Sequence, residues 1–129
     1  MVIDASVVVD VLLNRPPRAA LARAQLAEVD SLHAPALIDA EVGQVLRRFA
    51  LRGQLGTAAL QRALSRWADM PIERHAHLPL LPHALGLRHR LTVYDALYVT
   101  LAVALDRPLL TADSALGAVG IGRVQLLRA

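Results

Sequence analysis

The chain has 129 residues, with 14 basic and 11 acidic side chains and a formal net charge of +3. It contains no cysteine, which excludes a disulfide framework and a thiolate metal site. All 14 basic residues are arginine, so any mechanism that needs a lysine ammonium is excluded as well. Aromatic residues make up only 3% of the chain, which argues against a platform that stacks nucleic-acid bases. The length predicts one domain, spanning 1–129.

The sequence opens without a basic segment ahead of an apolar run, so no signal peptide is predicted. The longest apolar run, around 96–105, is too short to span a bilayer. We therefore expect a cytoplasmic protein. Its positive charge permits a nucleic-acid partner held through phosphates. An apolar content of 55% is more than a small core hides, which indicates a dimer or a partner surface.

Short apolar segments alternate along the chain with segments of helical periodicity. The predicted strands are 1–4, 31–34, 71–74, 107–111 and 124–127. The predicted helices are 7–13, 18–29, 37–51, 57–68, 78–89, 94–105 and a short one that begins near 114. The strand segments are apolar almost throughout, which is typical of strands buried on both faces. This order predicts an α/β domain with a mainly parallel sheet.

Three aspartates lie where a parallel sheet builds its ligand site. Asp4 and Asp113 each follow a predicted strand and precede a helix, and Asp95 opens the most apolar helix. The carboxyl ends of parallel strands lie along one edge of the sheet, where ligands bind. Each aspartate also has a simpler interpretation as a helix N-cap, a role worth about 1 kcal/mol. Thr92 and Asp95 in particular resemble a capping box.

Glu41 cannot be explained as a helix cap. It lies on the apolar face of helix 37–51, between Ile38 and Val45. The sequence places other polar residues of this helix on other faces: Asp39, Gln44, Arg47 and Arg48. A glutamate that faces inwards is costly unless it is paired or binds a ligand.

Four converging carboxylates need a cation. Two unit charges 4 Å apart repel by about 4 kcal/mol at an effective dielectric constant of 20, and no lysine is present to offset this. Oxygen ligands favour Mg²⁺ or Mn²⁺ over Zn²⁺. Such ions generate a hydroxide and hold a phosphodiester for in-line attack. The sequence therefore predicts metal-dependent chemistry on a phosphodiester, with arginine holding the phosphate chain.

Other chemistries of α/β domains fit less well. Response-regulator receivers and haloacid-dehalogenase phosphatases also have an aspartate after the first strand, but both need a lysine. No phosphate-binding P-loop sequence occurs. Among the later histidines only His75 and His77 are close, without a partnered carboxylate motif, so no zinc site is predicted there. Asp10 and Asp69 are interpreted as solvated acids.

Each of the four acids lies in a short motif. The motifs are, in chain order, Val2-Ile3-Asp4-Ala5-Ser6, Pro35-Ala36-Leu37-Ile38-Asp39-Ala40-Glu41-Val42, Leu91-Thr92-Val93-Tyr94-Asp95-Ala96-Leu97-Tyr98 and Leu110-Thr111-Ala112-Asp113. They resemble the opening strand, the helix entry and the two later motifs of PIN-domain ribonucleases, specifically VapC-type toxins of type II toxin–antitoxin pairs. Each motif alone is weak evidence, whereas four at these spacings are strong. Ala5 departs from the Ser or Thr of many members.

The resemblance implies a site made of four catalytic acids: Asp4, Glu41, Asp95 and Asp113. Asp4, Asp95 and Asp113 would hold Mg²⁺ or Mn²⁺, and Glu41 would bind or orient the attacking water. The hydroxyl groups of Ser6 and Thr111 would support these acids. Without the hydroxyl that many members carry at position 5, this support is slightly weaker.

The resemblance also implies a three-layer fold, with a parallel sheet of about five strands between helices. It implies a homodimeric endoribonuclease that leaves 5′-phosphate and 3′-hydroxyl ends and is neutralised by a VapB-type antitoxin. Two alternatives stay open at this point. One is a PIN nuclease that processes RNA without acting as a toxin, and the other is a non-catalytic scaffold that binds protein or RNA.

Overall fold

The computed structural model describes residues 1–127, and within them five strands form one sheet. The strands are β1 (Val2–Ile3), β2 (Leu32–Pro35), β3 (Ile72–His75), β4 (Leu109–Thr111) and β5 (Val124–Leu126). Their order across the sheet is β3-β2-β1-β4-β5, and each pair of neighbours is parallel. The predicted α/β class with a parallel sheet is confirmed.

Helices flank the sheet. They are α1 (Ala5–Leu12), α2 (Arg18–Ala27), α3 (Ile38–Leu51), α4 (Thr57–Asp69), α5 (Leu81–Leu85), α6 (Val93–Leu105) and α7 (Ser114–Gly117). The first helix, α1, packs against α2, α3 and α4, whereas α6 packs against α5 and against β1, β2 and β4. Across residues 1–127, none of these helices combines the length and the apolar character needed to cross a membrane.

One predicted helix is much shorter in the structure. Instead of a helix over 78–89, a turn of 3-10 helix at Leu78–Leu80 leads into the five-residue α5. The cause lies in two prolines, because proline lacks the N–H that a helix interior requires and is accepted only near a helix start. Pro79 and Pro82 each occupy such a starting position, so the chain begins a helix twice and completes only a short one.

The central strand β1 determines where a ligand site forms. Both its residues are fully buried, as are the three residues of β4 beside it. Within the sheet, β2 and β3 lie on one side of β1, and β4 and β5, which come later in the chain, lie on its other side. The strand order therefore reverses between β1 and β4, and the crevice at the carboxyl ends of such strands is where open parallel sheets bind ligands.

Among the helices of residues 1–127, α6 contains the longest unbroken run of buried residues, in agreement with its apolar sequence. All seven residues from 96 to 102 are buried, which matches a helix that is apolar on every face. Its first turn is capped by Thr92, whose Oγ1 accepts a hydrogen bond from the backbone N–H of Asp95 at 3.2 Å. The cap holds Asp95 at the sheet edge, at the end of α6 where the crevice opens.

Candidate active site

All four acids predicted from the sequence line one cleft, with a volume of about 420 Å³. Asp4 follows β1, Asp113 follows β4, and Glu41 and Asp95 lie in the first turns of α3 and α6. The structure therefore brings together side chains from four separate segments. The cleft lies at the carboxyl ends of β1 and β4, where the strand order reverses.

Asp4 is the most tightly held of the four. Its side chain is 7% exposed, and one carboxylate oxygen accepts hydrogen bonds from Ser6 Oγ at 2.5 Å and from the backbone N–H of Val7 at 3.2 Å. Thr111 donates its hydroxyl hydrogen to the other oxygen. Burial raises the pKa of Asp4, while these hydrogen bonds act in the opposite direction. The hydroxyls of Ser6 and Thr111 thus touch the acid that the sequence analysis assigns to them.

Asp113 combines a cap with a place in the cleft. Its side chain accepts hydrogen bonds from the backbone N–H groups of Ala115 at 2.9 Å and Leu116 at 3.3 Å, which makes it the N-cap of α7. Its own N–H donates to Thr111 Oγ1 at 3.0 Å. Asp4 and Asp113 are therefore N-caps, of α1 and α7 respectively, as the simpler interpretation predicts. Both caps also direct a carboxylate into the cleft.

Asp95 differs from these two because its carboxylate caps nothing. A complete capping box would need this carboxylate to accept a hydrogen bond at the helix start, yet within residues 1–127 no hydrogen-bond donor reaches it. Partial burial raises the pKa of Asp95, and the negative charge of Asp113 raises it further. A half-buried carboxylate without a donor is the group in this cleft most in need of a cation.

Glu41 is held by a side chain that the sequence analysis assigns no role. Tyr98 in α6 is 2% exposed, and its hydroxyl donates a hydrogen bond to Glu41 Oε1 at 2.6 Å. Burial raises the pKa of Glu41, the charges of Asp4 and Asp95 raise it further, and the Tyr98 hydrogen bond counteracts part of this. The spacing from Asp95 to Tyr98, which puts both on one side of α6, is the signal that could have identified this tyrosine.

The polar residues of α3 correct the sequence analysis. Gln44 and Arg48 were placed on faces away from Glu41, but both line the cleft with it. They follow Glu41 at i+3 and i+7, which is one side of a helix. Glu41 lies at the border between this polar side and the buried side formed by Ile38, Val42 and Leu46. Arg48 consequently brings a cation to the edge of an acidic cleft.

Asp10 is a second correction, because it is not a solvated acid. Its side chain is 2% exposed, and its Oδ2 lies 2.8 Å from Arg18 Nε. Arg15 lies 3.6 Å away on its other oxygen. A buried charge is tolerated when it is paired, so Asp10 ties α1 to the start of α2. It takes no part in the cleft.

The donor set of the cleft fits a hard divalent cation. Every candidate ligand is a carboxylate oxygen, the choice of Mg²⁺ and Mn²⁺ rather than of softer metals. Across residues 1–127, no three of the four carboxylates bring their oxygen atoms all within 4.8 Å of one another. This spacing leaves room for water molecules among the ligands, which Mg²⁺ retains more readily than other ions.

Comparison with known proteins agrees with this architecture. The family model described as the PIN domain matches residues 1–122, so the chain belongs to the PIN-domain family. It is 45% identical over 118 residues to Ribonuclease VapC1 of Mycobacterium tuberculosis, covering 91% of this chain and 88% of that protein. This identity places the chain among the VapC-type members, and the resemblance inferred from the four motifs is confirmed.

Solved structures share the same fold. The crystal structure of PAE2754 from Pyrobaculum aerophilum superposes with a TM-score of 0.73 at 25% identity, covering 95% of this chain and 81% of that one. A toxin–antitoxin complex from Klebsiella pneumoniae contains a chain with a TM-score of 0.69 at 19% identity, covering 98% and 97% respectively. The second comparison supports the fold alone.

Partial burial of Asp95, together with the repulsion between it and Asp113, predicts an unusual pH dependence of stability. Because the pKa of Asp95 is raised in the folded protein, its ionised form is destabilising at pH values above that raised pKa. The penalty disappears as the pH falls below the ordinary Asp value. In EDTA, Asp95→Asn should therefore melt at a higher temperature than the wild type at neutral pH, and this difference should shrink towards pH 4. Thermal melts across this pH range measure it.

The matched control is Asp69→Asn, which removes an exposed carboxylate outside the cleft. This variant should follow the pH dependence of the wild type. If Asp95→Asn and Asp69→Asn shift the melting temperature equally at every pH, neither burial nor the charge of Asp113 penalises the ionised Asp95 in the cleft. Comparison of two variants with the same chemical change cancels the contribution of histidines, which titrate in the same range.

Proposed function

We propose that the chain is a metal-dependent endoribonuclease toxin of the VapC type, which hydrolyses RNA phosphodiester bonds. The observation that carries the proposal is the convergence of Asp4, Glu41, Asp95 and Asp113 on one cleft. Identity of 45% to a protein named Ribonuclease VapC1 supports the same activity. We further propose that the whole chain, 1–129, is a single PIN domain.

Asp4, Asp95 and Asp113 are the proposed ligands of Mg²⁺ or Mn²⁺. Their oxygen-only chemistry suits these ions. Burial and the charge of Asp113 raise the pKa of Asp95, and a bound cation would offset both by favouring the ionised carboxylate. Such an ion lowers the pKa of a water molecule and neutralises charge on the phosphodiester. The hydrogen bonds from Ser6 and Thr111 hold Asp4 in one orientation, which supports its role as the ligand with least freedom.

Glu41 is the proposed residue that orients the attacking water and accepts its proton. A raised pKa brings a carboxylate closer to the working pH of a general base, and the Tyr98 hydrogen bond keeps the carboxylate facing the cleft. The water oxygen forms a bond to phosphorus while the bond from phosphorus to the 3′ oxygen breaks. The 3′ oxygen takes up a proton, so the products carry a 5′-phosphate and a 3′-hydroxyl.

The partners expected from the resemblance are part of the proposal. RNA is the substrate, and a cognate VapB-type antitoxin neutralises the toxin. A chain of the same fold occurs in a structure described as a toxin–antitoxin complex from Klebsiella pneumoniae. Exposed apolar side chains, such as Leu78 at 77% and Val103 at 55% exposure, support contact with a second copy or another protein. We retain the homodimer and the cytoplasmic location as predictions.

Cleavage of RNA tests the central proposal. Purified wild type with Mg²⁺ or Mn²⁺ should cut a total RNA preparation into discrete fragments, and EDTA should abolish the cutting. Asp95→Asn should reduce the cleavage rate at least about a hundredfold, because changing even the outer partners of a metal costs up to that much. Asp69→Asn should cleave like the wild type. The fragment ends are identified by ligation to adapters with and without prior phosphatase treatment. Ends that carry a 5′-phosphate and a 3′-hydroxyl should ligate without treatment, and phosphatase should prevent ligation at the 5′ end.

Persistent binding without cutting would decide against the enzyme. If folded wild type binds RNA in a filter assay but leaves it intact across total RNA from several sources, the non-catalytic scaffold is the better description. Cleavage that survives both EDTA and Asp95→Asn would overturn the proposed metal site and leave the nuclease assignment in question.

Growth of a bacterial host separates a toxin from a nuclease that processes RNA. Induction of the wild-type chain alone should arrest growth, and Asp95→Asn, expressed to the same level, should not. Co-expression of the cognate antitoxin should restore growth and should suppress cleavage by the purified pair. A chain that cuts RNA in solution but leaves growth unaffected at equal expression would favour the processing alternative.

Arg48 is the proposed phosphate contact at the rim of the cleft. It lies on the same side of α3 as Glu41, so Arg48→Ala should weaken RNA binding and raise KM more than it changes kcat. Loss of one phosphate contact should reduce the slope of log K against log salt by about 0.7 on single-stranded RNA. The neighbouring Arg47 is exposed and outside the cleft, so Arg47→Ala is the matched control. Equal salt slopes for both variants would disprove this role.

A further inference from the structure

A cluster of metal-ligand side chains lies away from the acidic cleft, on the strands β2 and β3. In the register of this parallel pair, His33 is aligned with Glu73, and His75 follows two residues later. Residues two apart on a strand share one face of the sheet. The three side chains therefore meet on a single face. None of them lines the cleft that contains the four acids.

The two distances from His33 to the other side chains are close to those between neighbouring ligands in a coordination shell. His33 Nδ1 lies 3.0 Å from His75 Nε2 and 3.4 Å from Glu73 Oε2. In a tetrahedral zinc site with bonds of about 2.0–2.1 Å, neighbouring ligand atoms are roughly 3.3 Å apart. Within residues 1–127, this trio is the group of His, Asp and Glu side chains whose ligand atoms all lie within 4.8 Å of one another.

The His33 ring is already oriented for metal binding. Its Nε2 lies 2.8 Å from Ser31 Oγ. In the tautomer whose Nε2–H donates to this hydroxyl, Nδ1 accepts the hydrogen bond from His75 Nε2, and the same lone pair is the one that a metal ion would take. Metal-binding histidines characteristically donate their second ring N–H to such a partner. The amino group of Met1 donates to the Ser31 carbonyl at 2.9 Å, which anchors the segment that carries the hydroxyl.

Burial and charge restrict which ion would fit. His33 is 9% exposed, whereas the Glu73 side chain is 66% exposed, so an ion has access from the Glu73 side. Burial lowers the pKa of His33, Glu73 opposes this, and the positive charges of Met1 and Arg107 lower it further. Histidine binds a metal ion through its neutral imidazole. The nearby positive charges of Met1 and Arg107 disfavour an ion that would be bound by electrostatic attraction alone. Two imidazoles and a carboxylate suit Zn²⁺ rather than Mg²⁺ or Ca²⁺.

We propose that His33, Glu73 and His75 form a binding site for Zn²⁺ or a similar transition-metal ion, separate from the acidic cleft. Three protein ligands leave the fourth position to water. The ion joins β2 to β3, the edge strand of the sheet. The connection extends further, because His77 in the segment after β3 accepts a hydrogen bond at 2.8 Å from the backbone N–H of Leu37, directly before α3.

Zinc titration in excess Mg²⁺, with protein that carries no polyhistidine tag, tests this site independently of the nuclease proposal. Excess Mg²⁺ competes for the acidic cleft. The wild type should bind one Zn²⁺ ion by calorimetry and should show the visible absorption of four-coordinate Co²⁺ when cobalt is added. His75→Ala should weaken Zn²⁺ binding about a hundredfold and abolish the cobalt absorption. Ser31→Ala, which changes an outer partner, should weaken binding about tenfold.

The matched control is His89→Ala, which removes an exposed histidine outside the trio. It should bind Zn²⁺ as the wild type does. Circular dichroism verifies that His75→Ala is folded, and the exposed position of Glu73 makes Glu73→Gln a second variant that keeps the fold. The proposal is overturned if the wild type binds no Zn²⁺ under these conditions. It is equally overturned if folded His75→Ala and Glu73→Gln both bind it with wild-type affinity.

Discussion

The buried carboxylate of Asp4 is the constraint around which the site is built. A carboxylate that is 7% exposed is tolerated only when hydrogen bonds satisfy it, and its donors come from two segments more than a hundred residues apart. Ser6 belongs to the helix that Asp4 itself starts, and Thr111 ends β4. The pairing of Ile3 with Leu110 in adjacent parallel strands brings these groups together. The pairing of β1 with β4 therefore also sets the orientation of the Asp4 carboxylate.

Helix capping and metal binding use the same side chains here, which explains why a cap does not argue against a site. Asp4 and Asp113 each satisfy backbone N–H groups with one oxygen and still present a carboxylate to the cleft. Two of the acids are thereby held by their own helices at little further cost. Asp95 has no such role, since Thr92 caps its helix. Its position is stabilised by the Thr92 cap and by the burial of residues 96–102 of α6, which together hold a donor-free carboxylate against its neighbours.

The fold, and the meeting of the four acids in one cleft, could be predicted because both follow from the order of the strands and helices. Apolar segments of strand length between helical segments specify a parallel sheet, and the strand order then brings Asp4 and Asp113 to one edge. Side-chain roles that depend on helix rotation were harder to predict. The predicted placement of Gln44 and Arg48 on other faces is wrong, because Glu41 lies at the border of the apolar face and shares the cleft with both. Asp10 was misjudged since its partners Arg15 and Arg18 lie beyond the end of its helix.

The histidine cluster could not be predicted from spacing at all. His33 and His75 are 42 residues apart, and their proximity follows only from the register of β2 with β3. In the sequence, His75 and His77 are the only close pair of histidines. His77 lies beyond the end of β3, however, and two residues that are two apart need not face the same ligand once the strand has ended. His77 instead accepts a hydrogen bond from the backbone before α3. This hydrogen bond links the segment after the edge strand to the start of the helix that carries Glu41. A displacement of β3 would therefore act on a helix that lines the cleft.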